Sequence, residues 1–536
     1  MKHFYFFLLS ALVCLSLSAQ SKVSGDSLAA DFHYLVKQLE ATHPDPYTGF
    51  GGKVFFHKQA FDLENELRSK PHTLQEFWDK SMAFLSFIQD GHTYLFSLAP
   101  KQRQEQSYLP VGLRCIPDGL IVQSLPAAHQ DLLGSLLTGI NGKSMDELLV
   151  RTASLFACEN LYNRYSVFCR NVARKQFMQQ LLPDLEDTVC LNLRTPDGKE
   201  MTLEQHFMDN EDLRKAEKAS LPSWEGCPEE QMAYRFIDKK KEVMMFKVNS
   251  IMARDNFEYM YKYMKGDLFR QMEFYYQNAL RKEMPADTLQ AIHALPSFSG
   301  TFATMLKEMK KNRSEYLIID LRGNSGGWTP IVLATLYQLY GDKYLQEDMD
   351  TEYYRIVSPL YMNKLEVTLE EFNKRYGTDY NFGDYTFSME EQEDVPLDTL
   401  RRQFIDDCMS SVKEELRAQK GAPVYTPKQV FVVTDERTFS AAFHYSFMLW
   451  KMGATVVGVP SGQAPNTFME QTLFKLPYTG IEGSISNSVQ IFLPGKDKRA
   501  KTFWPDVMLT YDEYKQTGFD KQAEILFLLN KIGQEK

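Results

Sequence analysis

The chain has 536 residues, of which 44% are hydrophobic and 24% charged, a composition that excludes a disordered chain and a single small binding module. Sixty Lys and Arg against 70 Asp and Glu give a formal net charge of −10. Because a protein that follows nucleic-acid phosphates needs a basic face, this balance argues against nucleic acid as a partner.

Residues 1–19 have the organisation of a secretory signal peptide. The segment MKHFYFFLLSALVCLSLSA combines a basic start, an apolar stretch and the small residues Ser18 and Ala19 before polar Gln20. No later segment offers 18 consecutive apolar residues, so we expect no transmembrane span in the mature chain. The sequence therefore predicts export to the periplasm or the extracellular space.

The cysteines and histidines indicate neither a metal nor a cofactor. The six cysteines after the leader are too sparse for a disulfide framework, and the sequence contains no C-x-x-C or H-E-x-x-H spacing for zinc. One or two disulfides and buried free thiols remain equally compatible with this pattern.

Residues 20–105 carry the pattern of a helical region. Apolar residues recur at helical spacing from Leu28 to Leu39, and the pattern stops before His43-Pro44. A second helix begins with Thr73 and Glu76 in capping-box positions and ends at Asp90-Gly91. His92 therefore follows a helix exit, on a turn that can hold its side chain rigidly.

Residues 106–205 and 206–536 form two further parts. The first is rich in short alternating strands, with a tight turn at Asn141-Gly142 followed by a helix, and we predict a small β-rich domain. The second alternates strands and helices, which is typical of a layered α/β domain with mostly parallel strands. A polar, Tyr-rich insert at about residues 345–425 interrupts it.

Two strand-to-helix corners in the third part could carry chemistry. In YLIIDLRGNSGG a buried strand runs into Gly326 and Gly327, where the lack of a Cβ lets backbone approach closely and turn an N–H outward. About 115 residues later, Ser440 begins an apolar helix at the carboxyl edge of the sheet, with the N–H of Ala441 next to it. Taken singly, the glycine turn is explained equally well as a tight strand-to-helix connection, and a serine at a helix N-terminus is more often a cap than a nucleophile.

Together, these segments resemble the tail-specific (C-terminal processing) serine peptidases and the related tricorn-core proteases. The matching segments follow the family's order along most of the mature chain: DGHT at 90–93, GINGKS at 139–144, DLRGNSGG at 320–327, TFSAA at 438–442, VGVP at 457–460 and WPDV at 504–507. The resemblance implies a crotonase-like spiral core of ββα units, preceded by a helical N-terminal region and a PDZ-like domain. It also implies that the protein cleaves extended or C-terminal polypeptide segments with a serine nucleophile.

The resemblance assigns roles residue by residue. Ser440 matches the nucleophile, and Gly326 and Ala441 match the two backbone donors that stabilise the oxyanion. Tail-specific enzymes place a base Lys about 25 residues after the nucleophile, where this chain has Ala464. The tricorn-like branch takes a His from the helical region instead, and His92 stands at that position.

Four questions stay open at this level. The residue that orients His92 is undetermined, with Asp90 and Glu470 as candidates. Gly91 stands where the tricorn-like branch has an assisting Ser, and basic residues around Arg499 stand where that branch has a Glu. His444, four residues after Ser440 on the same helix, is a rival base. The alternative to a Ser/His peptidase is a non-catalytic relative that binds peptides in the PDZ-like groove, and the oligomeric state is undetermined.

Overall fold

The computed structural model describes residues 22–98, 107–349, 351–387 and 395–534. The predicted signal peptide at residues 1–19 lies outside the described residues. Within them, we find no helix that is both long and apolar enough to cross a membrane.

The N-terminal part is helical, as the apolar spacing predicts. It contains helices α1 (Gly25–Thr42), α2 (Lys53–Arg68) and α3 (Leu74–Ser86), followed by the short strand β1 (Tyr94–Leu95). The Thr73 hydroxyl and the Glu76 carboxylate cap the start of α3 reciprocally, which confirms the predicted capping box. The turn that carries His92 thus lies between the end of α3 and β1.

The second part is a seven-stranded antiparallel sheet with helices packed on it, and this sheet extends past the predicted boundary at residue 205, to Ser220. Its strands are β2 (Gly112–Ile116), β3 (Gly119–Pro126), β4 (Leu136–Ile140), β5 (Lys143–Ser144), β6 (Thr188–Arg194), β7 (Glu200–His206) and β8 (Lys218–Ser220). Its helices are α4 (Met145–Leu155), α5 (Leu161–Asn171), α6 (Lys175–Leu181) and α7 (Asn210–Lys215). Asn141 and Gly142 have φ values of 48° and 74° and join β4 to β5, as the predicted tight turn requires.

The third part is built on a five-stranded sheet with mostly parallel strands. Its strands are β9 (Met232–Phe236), β10 (Val243–Val248), β11 (Tyr316–Asp320), β14 (Gln429–Thr434) and β15 (Thr455–Gly458). They pair in the order β15-β14-β11-β10-β9, and only the edge strand β9 runs antiparallel to its neighbour. The side chains of β11 are all buried, which accounts for its continuous apolar run.

Helices cover this central sheet and carry the two predicted corners. They are α8 (Arg254–Tyr263), α9 (Lys265–Phe274), α10 (Thr288–His293), α11 (Phe298–Asn312), α12 (Pro330–Tyr340), α13 (Asp342–Gln346) and α18 (Ala441–Lys451). The glycine turn follows β11 and precedes α12, and Ser440 follows β14 and precedes α18. Since β11 and β14 are adjacent parallel strands, both corners lie at the same edge of the sheet.

The insert and the C-terminal residues complete the molecule. They supply β12 (Glu352–Ile356), α14 (Pro359–Leu365), α15 (Leu369–Tyr376), β13 (Tyr385–Phe387), α16 (Leu397–Asp407), α17 (Lys413–Gln419), β16 (Thr467–Lys475), β17 (Glu482–Ile491), α19 (Tyr511–Gln516) and α20 (Ala523–Gln534). A second antiparallel sheet has the order β1-β17-β12-β13, with β16 also paired to β17. Pairing of β1 with β17 attaches the N-terminal part to the α/β part and sets the position of the His92 turn.

A buried ion-pair network ties the glycine turn to the C-terminal helix. Arg322 donates to Asp320 and, at 2.7 Å, to Glu524 of α20, which also accepts from Arg114 of β2 at 2.8 Å. Burial opposes ionisation of Glu524, but the two guanidinium groups outweigh it and lower the pKa of that carboxyl to about 2. The charged residues of the DLRG segment therefore serve to hold the turn in place.

Candidate active site

Ser440 lies at a strained corner between β14 and α18. Its backbone has φ 53° and ψ −128°, and a positive φ is rare for a residue with a side chain. The Ser440 N–H donates to the side-chain carbonyl of the buried Gln463. Strain of this kind persists only where surrounding contacts fix the backbone, and it concentrates at functional positions.

The glycine turn lies directly against this corner. A Cβ on Gly326, whose φ is 106°, would lie 2.6 Å from the Ser440 Cβ and 2.9 Å from the Ala441 nitrogen. A Cβ on Gly327 would lie 2.2 Å from the carbonyl oxygen of Ile251. Only glycine therefore fits at these two positions, and the turn brings backbone amides to the serine.

The free amides at this corner differ in part from the predicted pair. The Ala441 N–H donates to no acceptor among the described residues, as an oxyanion donor requires. The Gly326 N–H instead donates to the Asn324 side chain at 2.9 Å, so the predicted donor is occupied in this conformation. Within the described residues it is the next amide, that of Gly327, which is left without an acceptor.

His92 lies beside the serine corner although it comes from the N-terminal part. Its ring stacks at a tilt on Phe439, the residue before Ser440, with centroids 5.0 Å apart. The Ser484 hydroxyl of β17 donates to the His92 carbonyl at 2.7 Å and anchors the turn. The His92 side chain is buried, and neither ring nitrogen has a hydrogen-bond partner among the described residues. The His92 ring therefore packs on the residue before Ser440, and no hydrogen bond joins His92 to Ser440 in this structure.

Asp90 organises the turn around this imidazole. Its carboxylate accepts from the His92 N–H at 2.8 Å, from the Thr93 hydroxyl and from Nε2 of His43 at 3.3 Å. The His43 Nδ1 accepts the Asp45 N–H, which fixes the proton of His43 on Nε2. Burial opposes ionisation, yet the hydrogen bond from His43 and the other favourable interactions with His92 and Thr93 outweigh it and lower the pKa of Asp90 to about 2. Asp90 therefore stays negative, 3.8 Å from the His92 Nδ1.

Glu159 is a second carboxyl at the imidazole that the sequence analysis missed. Its Oε1 lies 3.9 Å from the His92 Nδ1 and accepts the Gly91 N–H at 3.3 Å, while Oε2 accepts the Ala464 N–H at 2.8 Å. Desolvation and the nearby negative charge of Asp90 raise the pKa of Glu159 to about 8. The group therefore links the His92 turn to the loop after β15, and no motif or spacing in the sequence marks it.

The other candidates from the sequence occupy different positions. Glu470 pairs with Arg355 at 2.6 Å, so of the two proposed orienting residues only Asp90 reaches His92. The rival base His444 is held at both nitrogens, by Thr329 at 2.8 Å and Gln490 at 2.7 Å. Burial lowers the pKa of His444 to about 4, against the opposing effect of the Gln490 hydrogen bond.

Desolvation dominates the titration of His92 as well. Burial lowers the pKa of His92, although Asp90 and the backbone at Phe468 act in the opposite direction. The imidazole is therefore neutral at pH 7 and able to accept a proton.

A serine on a strained corner, with unpaired amides and a neutral buried imidazole beside it, has the layout of a serine-hydrolase site. Residues 291–482 match the sequence profile of peptidase family S41. This match agrees with the resemblance drawn from the motifs and supports a serine-type peptidase that acts on polypeptides.

Two solved structures share the overall fold. Mature CPAF has a TM-score of 0.57 at 14% sequence identity, and the alignment covers 95% of this chain and 98% of that chain. Mature CPAF complexed with lactacystin has a TM-score of 0.54 at 15% identity, covering 94% of this chain and 97% of that chain. Among curated proteins, none matches the chain.

Proposed function

We propose that the protein is an exported serine endopeptidase in which Ser440 is the nucleophile and His92 the general base. The observation that carries this proposal is the convergence of three features at one sheet edge. These are the strained Ser440, the unbonded Ala441 N–H, and the buried His92 with both nitrogens unpaired. Each would be costly in a purely structural role, since strain and unsatisfied buried polar groups destabilise a fold.

The two ring nitrogens of His92 have distinct roles in this mechanism. Nδ1 faces the ionised Asp90 at 3.8 Å and the Glu159 carboxyl at 3.9 Å, and the negative charge of Asp90 favours a proton on that nitrogen. Nε2 is then left with its lone pair to take the proton of the Ser440 hydroxyl. The resulting imidazolium is stabilised by Asp90, whose lowered pKa keeps it ionised.

The reaction follows the order of acyl transfer. As Nε2 of His92 takes the proton, Ser440 Oγ bonds to the carbonyl carbon of the substrate, and the carbonyl π electrons move onto its oxygen. The Ala441 N–H and an amide of the glycine turn stabilise that oxyanion, each contributing about 3 kcal/mol. The amide bond then breaks, His92 returns the proton to the leaving amine, and water hydrolyses the acyl-enzyme by the same steps.

The substrate is an extended or C-terminal polypeptide segment, as the resemblance implies. A cavity of about 260 Å³ in the second part, between β3, β4 and the start of α4, supports peptide binding there; it is lined by Asp118–Leu120, Leu136–Thr138, Ser144–Asp146 and Tyr165. The same cavity favours the second candidate function, a PDZ-like peptide-binding protein without catalysis. Under that alternative, peptide affinity would survive the loss of His92 and no cleavage would occur.

Export is a separate part of the proposal and rests on residues 1–19. Amino-terminal sequencing of protein recovered from outside the cytoplasm should give a chain that begins near Gln20. A chain that retains Met1 would contradict export.

Labelling with a fluorophosphonate tests the nucleophile. Wild type should be labelled and Ser440→Ala should not, whereas Ser446→Ala should still react. Ser446 is a matched control because it lies on the same helix and its hydroxyl donates within the helix to the Phe443 carbonyl at 2.8 Å. Labelling that persists in Ser440→Ala would refute the assignment.

Peptidase kinetics on an unfolded protein substrate test the base. His92→Gln should lower kcat about 10³-fold, within the range for losing general-base catalysis. His444→Gln should lower kcat less than about tenfold, because its nitrogens are engaged elsewhere. Activity of wild type should persist below pH 6.5, since burial lowers the pKa of His92. A larger loss in the His444 variant would transfer the role to His444.

A further inference from the structure

Three side chains beside the serine corner present metal-ligating atoms to one another. His92 Nδ1, an Asp90 oxygen and a Glu159 oxygen all lie within 4.8 Å of one another. The first two come from the turn after α3, and Glu159 comes from just before α5. Tertiary packing brings them together, since the sequence has no metal-binding spacing and indicated no metal.

The ligand atoms are not saturated by the protein. Both His92 nitrogens lack a hydrogen-bond partner among the described residues, and the residue is only 6% exposed. The Asp90 oxygen nearest to the ring accepts the His92 N–H, and the facing Glu159 oxygen accepts the Gly91 N–H. An sp² carboxylate oxygen has two lone pairs, so each of these oxygens can still bind a cation.

The charges around the cluster also favour a cation. Asp90 and Glu159 are both buried, and in the described part of the chain neither forms an ion pair with a lysine or an arginine. Two carboxylates in a poorly solvated site repel each other when both are ionised. A divalent cation would compensate both charges at once and satisfy the unpaired imidazole nitrogen.

We propose that Asp90, His92 and Glu159 bind a divalent transition metal, with Zn²⁺ as the best match. An imidazole nitrogen with two carboxylate oxygens suits zinc, whereas Ca²⁺ and Mg²⁺ prefer oxygen ligands alone. Zinc bonds to nitrogen and oxygen at about 2.0–2.2 Å. Ligand atoms of a tetrahedral zinc then lie roughly 3.3–3.6 Å apart. The separations of 3.8 and 3.9 Å from Nδ1, and of up to 4.8 Å within the cluster, therefore require the ligand atoms to close by up to about 1.5 Å.

Metal binding would regulate the proposed peptidase, and this consequence rests on the proposed function. A metal on Nδ1 leaves the proton of the neutral imidazole on Nε2. His92 then has no lone pair to accept the proton of the Ser440 hydroxyl. Zinc occupancy is therefore inhibitory, and removal of zinc by a chelator restores activity.

Calorimetric titration with zinc chloride tests the site without relying on activity. The mature chain and Ser440→Ala should each bind one zinc ion at the cluster, because that substitution leaves all three ligands intact. Glu159→Gln should weaken this binding at least about 100-fold, exceeding the loss seen when only an outer-shell partner is removed. Glu64→Gln is the matched control: Glu64 lies 3.2 Å from the exposed His33, so its loss should leave the affinity unchanged.

Equal affinities in wild type and folded Glu159→Gln would overturn the proposal. X-ray absorption of the zinc-loaded wild type provides a second measurement that needs no variant, and it should show nitrogen and oxygen ligands with one imidazole. Sulfur ligation, or two or more imidazoles, would also overturn it. A protein that binds zinc, yet shows no peptidase activity after a chelator has removed the zinc, would refute the proposed function and leave the metal site standing.

Discussion

Replacing Glu159 by glutamine should change the number of protons that the protein releases when it unfolds. Desolvation and Asp90 raise the pKa of Glu159 to about 8, from an ordinary value of 4.5. The folded protein therefore holds a proton on this carboxyl at pH 6.5, and the unfolded chain does not. Unfolding at that pH should release about one proton more from wild type than from Glu159→Gln.

The associated free energy is large because the group is buried. A pKa moved from 4.5 to about 8 corresponds to about 5 kcal/mol between the two protonation states. Since the folded pKa is raised, this stability is fully present below pH 4.5 and is lost as the pH rises to 8. The free energy of unfolding should fall by about 1.4 kcal/mol per pH unit across that window, and Glu159→Gln should lack this contribution.

The assay is proton release on unfolding in unbuffered urea at pH 6.5, which does not require two-state unfolding. Glu204→Gln, which removes an exposed carboxyl on β7, is the control and should release as many protons as wild type. Equal release from wild type and Glu159→Gln would refute the reasoning, since it would show that Glu159 is already ionised in the folded protein.

Two further predictions concern the glycine turn and the buried ion pairs. Gly326→Ala should lower peptidase activity at least about 100-fold, because the new Cβ would lie 2.6 Å from the Ser440 Cβ and displace the serine. Gly323→Ala is the control, because its new Cβ would have no atom within 4 Å. It should cost only about 1–3 kcal/mol of backbone strain and keep activity within about tenfold of wild type. Equal losses of activity in the Gly326 and Gly323 variants would contradict the steric argument. Glu524→Ala should destabilise the fold by about 3–5 kcal/mol, since it removes the buried acid shared by two partly buried arginines. Thermal unfolding measures this loss of stability. The control is Glu513→Ala, which removes a helix-capping side chain worth about 1 kcal/mol. A smaller loss of stability in the Glu524 variant than in the Glu513 variant would refute the prediction.

Much of the local structure was predictable because its causes lie within a few residues. The capping box at Thr73 and Glu76 depends on hydrogen bonds three residues apart, and the structure contains both. The glycine turn depends on positive φ values that side chains disfavour, and Gly326 and Gly327 have φ of 106° and 144°. The apolar run of β11 likewise marks a strand buried on both faces.

The prediction for the Gly326 amide shows the limit of motif reasoning. The position of the turn beside Ser440 agrees with the sequence, but the Gly326 N–H is taken by the Asn324 side chain. Whether an amide is free depends on the rotamer of a neighbouring side chain, and a motif records residue types without their rotamers.

The sequence by itself determined the segmentation of the chain, the two strand-to-helix corners and the residue types at them. It did so because periodicity, capping and glycine conformation act over short stretches of backbone. Only the tertiary structure decided that Asp90 and Glu159, rather than Glu470, surround His92, and that Gln463 holds the Ser440 N–H. These contacts join residues far apart in the chain, and the resulting pKa values depend on burial and charge in three dimensions, which no local pattern encodes.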